Sequence, residues 1–127
     1  MDSISTSVAE IHMDKEGIVH IHFPIKNVKM TVEDSRKIYE GRMQLANKDG
    51  KQLIIADLRT NPNPDRGARE FTKSTEMVNT TKTMALLVGG PISKMLGNFF
   101  IGFNKGDFPV RLFTEKEKAI KWLKKYK

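Results

Sequence analysis

Two short stretches near the start of the chain, Val8 to Met13 and Ile18 to Phe23, alternate apolar and polar residues, the period-two pattern of strands covered on one face. Between them, Asp14-Lys15-Glu16-Gly17 supplies turn chemistry and ends in a glycine that tolerates positive φ, so the pair predicts a β-hairpin. The period then lengthens. Val32, Ile38, Tyr39, Met43, Leu45 and Ala46 approximate a helical stripe, with Thr31 and Asp34 as a capping pair and Asn47-Lys48-Asp49-Gly50 as the end, which predicts a helix over about Val32 to Asn47. Leu53 to Leu58 is an apolar run broken by Asp57, the pattern of a central strand covered on both faces and parallel to a neighbour.

Beyond that strand, the two prolines of Asn61-Pro62-Asn63-Pro64-Asp65 forbid regular structure, and Asp65 can cap a following helix in which Ala68, Phe71, Thr75 and Val78 recur at helical spacing. Thr83 to Val88 reads as another buried strand. Gly89-Gly90-Pro91 places proline at the first position of a third helix that runs to about Phe103. Val110 to Phe113 is a short strand, and Thr114 with Glu117 forms a capping box for a last helix carrying Ala119, Ile120, Leu123 and Tyr126. The predicted order is ββαβαβαβα, an α/β domain whose mixed sheet begins with a hairpin and continues in parallel strand-helix units.

Length and composition narrow this picture. A chain of 127 residues with 39% hydrophobic content has room for one domain, spanning residues 1–127, with a real core. Without cysteine it can hold no disulfide, thiolate zinc site or cysteine nucleophile. No run reaches the roughly 18 apolar residues of a membrane span, and Met1 to Ser7 lacks the order of a signal peptide, so a soluble, cytoplasmic protein is expected. The formal charge is +7, with much of the excess in Lys116, Lys118, Lys121, Lys124, Lys125 and Lys127. These read as the solvent face of the last helix, complementing the negative end of its dipole. Nucleic-acid surfaces interleave arginines and exposed aromatics with such charge; here the cluster is nearly all lysine, Trp122 and Tyr126 read as core, and no nucleic-acid partner is expected.

The element order, Leu53 to Leu58, Ala85 to Val88, Gly97-Asn98-Phe99-Phe100, and Pro109 to Phe113 leading into Ala119-Ile120-Lys121-Trp122-Leu123 together resemble the SpoIIAA-like superfamily, also described as STAS or STAS/SEC14-like domains. The resemblance covers nearly the whole chain. It implies a SpoIIAA/STAS-like fold in a bacterial domain that works by binding rather than catalysis. Characterised members are anti-sigma-factor antagonists that bind a kinase partner and are switched at a phosphorylatable hydroxyl opening the helix after the third strand. Here that position reads Asp65-Arg66-Gly67-Ala68, and Thr60 stands before both prolines; the resemblance therefore brings the fold without the switch. Other branches are linked to anion transporters or to lipid and small-ligand binding.

Three groups of residues are candidates for function. Asp57, Arg59, Asp65, Arg66 and Arg69 cluster in sequence around the end of the third strand, where open α/β sheets bind ligands; the arginines could hold a carboxylate or phosphate, or be solvated while the acids anchor the loop and cap the helix. His20 and His22 share one strand face. If the Gly17 turn contains a bulge, Ile11 sits across from Val19 while Glu10 and His12 join the histidines, within reach of Zn²⁺ or Ni²⁺; without it His12 changes face. The third group is the helix from Pro91, apolar around more than one face: Met95, Phe99, Phe100, Ile101 and Phe103 exceed what one stripe requires. A second subunit, an apolar ligand, a membrane surface, or the neighbouring helices and the loop at Gly106 to Pro109 must cover the surplus.

No phosphate loop, nucleophile elbow or metalloprotease helix occurs, and Gly89-Gly90 reads as a tight turn into its helix. The expectation is a non-catalytic interaction or regulatory domain, a homodimer or the binder of a protein partner, with no enzyme activity, cofactor or metal. The alternative is a carrier of a small amphipathic or anionic, lipid-like ligand. An apolar patch on a solid domain favours the first; a cavity between the Phe99 helix and the sheet, with arginine at its mouth, favours the second.

Overall fold

The computed structural model describes residues 3–45, 50–104 and 106–127, leaving the side chain of Phe103 aside. Strands β1 (Ser3–Ser5), β2 (Glu10–Met13) and β3 (Ile18–His22) form an antiparallel meander, and β5 (Gln52–Asp57), β7 (Thr81–Leu87) and β8 (Val110–Phe113) continue from β3 in parallel. The sheet order is β1-β2-β3-β5-β7-β8. Because every parallel strand is laid down on the same side of its predecessor, right-handed crossovers send all connecting helices to one face. These are α1 (Val32–Leu45), the pair α2 (Arg66–Phe71) and α3 (Thr75–Thr80), and α4 (Pro91–Asn104). Only α5 (Lys116–Lys124), which follows the last strand, returns to the other face.

Two cores follow from the alternation of side chains. Val19, Ile21, Ile54, Ala56, Leu86 and Val88 face the crossover helices, while Ile18, Leu53, Ile55 and Ala85 face Ala119 and Leu123 of α5. This explains the continuous apolar run of β5. Phe113, Trp122 and Tyr126 complete the smaller core by ring contacts, with centroids 5.5 Å and 5.2 Å apart.

Several local expectations are met. Thr31 and Asp34 cap α1 reciprocally: the Asp34 carboxylate accepts from Thr31 N at 2.9 Å and Thr31 Oγ1 from Asp34 N at 3.3 Å. Asp65 caps α2, accepting from Ala68 N at 2.9 Å. Others are corrected. The helix expected after Asp65 is broken at 72–74, where Ser74 accepts from Met77 N and starts α3. The proline segment is not irregular: Lys29–Met30 (β4) pairs in parallel with Asn63–Pro64 (β6), since the flanking N–H groups of Asn63 and Asp65 donate to Val28 and Met30 and Pro64 has none to donate. The Thr114–Glu117 box does not form, because Glu115 occupies the N-cap and pairs with Lys118 at 3.0 Å. The β7 strand begins two residues earlier than expected, and the expected end of the first helix at 46–49 lies outside the described residues.

In the hairpin, Gly17 has φ +81° and Asp14 N donates to Ile18 O, the three-residue loop with a glycine bulge. Its register pairs Glu10 with His22, His12 with His20, and Ile11 with Ile21 rather than Val19. The two-residue difference preserves the faces.

Candidate functional site

On the crowded face, the strands raise Ile21, Ala56 and Leu86 between α1 and α4. Ala56 is small where a sheet facing two helices would be filled by a larger residue, and a partly open cavity of about 130 Å³ remains above it. Ile38 and Tyr39 of α1, Phe71 of α2, Met77 of α3, and Leu96 and Phe100 of α4 wall it. Tyr39 and Phe71 meet edge to face, centroids 6.1 Å apart.

One wall residue is charged among those described: Arg42, only 1% exposed. It stands four residues after Ile38 and so on the buried face of α1. Its Nε donates to Gln52 Oε1 at 2.8 Å, and Gln52 Nε2 donates in return to Arg42 O at 3.1 Å. One terminal nitrogen reaches the carbonyl and hydroxyl of Thr80 at 3.1 and 3.2 Å; among the described residues the other finds only Met77 Sδ. Burial pushes the guanidinium down to about 10, with the Tyr39 phenol opposing. Among the described residues no carboxylate pairs with it. Gln52 begins β5, whereas Leu58 and Pro62, also in the wall, follow its end; a six-residue strand spans about 20 Å, so Arg42 and the proline loop occupy opposite ends of the cavity.

Pro62 and Leu96 also line an outer groove with Asn27, Asn61, Arg69, Met95 and Phe99. Asn27 and Asn61 adopt positive φ, 56° and 58°, and Asn27 N donates to Thr60 O, which shapes the loop around Pro62. The Arg69 guanidinium lies 5.0 Å from the Phe99 ring centroid and donates through Nε to Pro64 O at 3.1 Å. The other members of the predicted arginine set are elsewhere. Arg66 is exposed and 3.8 Å from Glu70, Asp65 is the α2 cap, and Asp57 and Arg59 line a hollow that opens beside α5. The five residues do not form one site.

In that hollow Arg59 grips Asp57 with two bonds, Nε to Oδ1 at 3.0 Å and a terminal nitrogen to Oδ2 at 2.8 Å. Burial pushes the Asp57 carboxyl up, but these bonds and the Arg59 N–H outweigh it and hold it below its ordinary value; the same pairing raises Arg59. Glu10, His12, His20 and His22 line the same hollow, with Lys116 of α5 at its side. His12 stacks on His20, rings 4.6 Å apart and 9° from parallel, and His20 Nε2 bonds Asp14 Oδ2 at 2.8 Å. Burial lowers the His12 pKa, followed by the charges of His20 and Lys116. Burial pushes Asp14 up, but the His20 bond and the Ile18 and Glu16 N–H groups hold it low. Stacked rings keep their nitrogens in parallel planes instead of converging, and among the described residues no three His, Asp or Glu groups assemble as a metal's ligands.

Over residues 11–127 the sequence matches DUF7793, a domain of unknown function. The chain belongs to the DUF7793 family. No curated protein matches it. The DUF7793 fold is SpoIIAA-like: a crystal structure of an uncharacterised DUF3478-family protein with a SpoIIAA-like fold from Shewanella loihica PV-4 aligns over 97% of this chain and 98% of its own, with a TM-score of 0.65 at 16% identity. A protein of unknown function from Arthrobacter sp. FB24 is 27% identical over 89% of this chain and 96% of its own, with a TM-score of 0.34.

The apolar helix of this DUF7793 domain divides its surplus. Leu96 and Phe100 turn inward, with Phe100 packed on the core, whereas Met95 is 69%, Phe99 38% and Ile101 39% exposed, joined by Ile92 at 57%. Phe108 covers the inner side of α4 and is buried, its carbonyl accepting from Asn104 Nδ2. Phe103 falls outside the described side chains. No helix among the described residues is long and apolar enough to cross a membrane. Sequence reasoning missed Arg42; the available signal was an arginine inside the apolar stripe of α1, at i+4 from Ile38 and i+3 from Tyr39.

Proposed function

We propose that this DUF7793 domain acts by binding, as a carrier or sensor of a small, largely apolar ligand held between α4 and the sheet. The observation that carries this reading is the cavity of about 130 Å³ beneath Leu96 and Phe100. An apolar protein cavity of about 150 Å³ accepts a benzene ring, so the occupant is a single ring or a short chain. Pro62 and Leu96, shared with the outer groove, mark the way in. Among the described residues the wall offers hydroxyls at Ser35, Tyr39 and Thr72 with no base beside them, which supports binding rather than catalysis.

Native mass spectrometry of untagged protein, followed by titration with toluene and hexanol while methyl resonances of Ile38, Leu86 and Leu96 are observed, tests this. Saturable shifts at those methyls, abolished by filling the space with Ala56→Leu, are expected. Absence of any shift with a folded spectrum overturns the carrier reading.

A second reading rests on the exposed row Ile92, Met95 and Phe99: a protein interface, in the first instance with another copy of the chain. The two readings use different sides of α4 and are separable by mutation.

A further inference from the structure

We infer that the cavity ligand is a monocarboxylate, bound with its carboxylate inward against Arg42 and its apolar part directed toward Pro62 and Leu96. This rests on the cavity reading above and adds the charge and orientation of the occupant.

Burying a cation is expensive. A buried charge is tolerated when paired or fully hydrogen-bonded. Arg42 is 1% exposed, and its acceptors among the described residues are an amide oxygen, a threonine hydroxyl and carbonyl, and a thioether. All are neutral, and the thioether is a weak acceptor for a terminal guanidinium nitrogen that has two N–H groups. Gln52 and Thr80 hold the guanidinium in place. Its unmatched charge is thus fixed at the wall of a cavity whose other described lining residues carry none. A carboxylate entering from the proline loop would supply the missing charge and a strong acceptor, in a site dry enough for the pair to count. Phosphate fits less well. A dianion would bring more acceptor oxygens than Arg42 and the nearby hydroxyls can serve, whereas a carboxylate asks only for the terminal nitrogen that Met77 pairs weakly. The burial that lowers the Arg42 pKa still leaves it cationic at neutral pH. Arg69, in the outer groove, is already engaged with Phe99 and Pro64 and is not the anchor.

The test compares hexanoate and benzoate with their primary amides, which share shape and differ in charge, by NMR titration at pH 7 with the Arg42 Nε–H resonance as local probe. A charge-assisted bond in place of a neutral one predicts that at least one acid binds about ten- to a hundredfold more tightly than its amide. The Arg42 resonance shifts with the acid. Arg42→Met should erase the preference and keep amide binding, Arg42→Lys should restore part of it, and Arg69→Ala should leave it unchanged. Equal affinity of acid and amide, or a preference that survives Arg42→Met, overturns the carboxylate assignment and leaves the cavity reading standing. If neither acid nor amide perturbs the cavity, both fail. Should Arg42→Met not fold, the acid–amide comparison and the Arg42 resonance in the unmodified protein decide.

Discussion

Arg42 contributes to the fold through its aliphatic stem and its bonds, and opposes it through its charge, so the two ways of removing it should diverge. Arg42→Ala opens space beneath α1 and strands Gln52 and Thr80; a loss of about 2–4 kcal/mol in urea unfolding is expected. Arg42→Met keeps the volume and deletes a charge that no described carboxylate pairs, and should fall within about 1 kcal/mol of the parent or exceed it. Equal losses in both variants would mean that the hydrogen bonds outweigh the charge. On the other face, the sign of the Asp57 shift sets a pH window. Its native pKa lies below the ordinary 3.8, so its contribution is complete above that value and disappears as the pH falls through the native one. Asp57→Asn should lower the unfolding midpoint at neutral pH and flatten the acid side of the stability profile below about pH 4; Arg59 is half exposed, so the effect is small and weakens with salt. A parallel acid limb in the variant would exclude Asp57. Neither role could be read from composition. Arg42 was hidden because an arginine in a helical stripe is usually a snorkelling edge residue, and Asp57 was separated from its histidine neighbours by more than thirty residues until strand pairing placed His22 beside it.

At the level of elements, those whose local chemistry and burial agree were legible in the sequence: the hairpin with its positive-φ Gly17, the Thr31–Asp34 cap, the doubly buried β5, and β8 to the residue. The misses occurred where tertiary partners outvoted local signals. A ladder with β4 regularised the prolines, Thr72 closed one helix and Ser74 began another, and Glu115 displaced Thr114 at the start of α5. The cavity was legible only as a conditional, because the space depends on how closely α4 approaches the sheet. That approach is set at Gly97, where a Cβ would stand 3.0 Å from Leu112 Cδ2 and 3.2 Å from Val88 Cγ1. Gly97→Val should push α4 outward and cost about 1–3 kcal/mol. Gly97→Ala balances the same crowding against a helix propensity gain of about 1 kcal/mol and should stay near the parent. Thermal unfolding of the pair checks this; a Val variant as stable as the Ala variant would mean that α4 is not seated through Gly97.

For the molecule as a whole, laying down every parallel strand in one direction puts three crossovers on one face and leaves α4 at its outer end, beside β8, while α5, the helix that follows, packs on the opposite face. The exposed row Ile92, Met95 and Phe99 is the result. A two-fold pair of such helices would bury each row against itself, and the lysine-rich α5, on the opposite face of the sheet, would stay clear of the contact. The protein is therefore expected to sediment as a dimer in the micromolar range, and Met95→Glu, at the most exposed position, should yield folded monomers whose thermal midpoint no longer depends on protein concentration. A parent that remains monomeric throughout that range would remove self-association and leave the row for another partner. Ile92, Met95 and Phe99 also line the outer groove, so anything seated there competes with the second copy, and by linkage dimer formation weakens its binding by the same factor. A carboxylate on Arg42 lies at the far end of the inner cavity and escapes that competition. Titrating hexanoate into the parent and into Met95→Glu should then give the same affinity, whereas a groove-bound ligand would bind the monomeric variant more tightly.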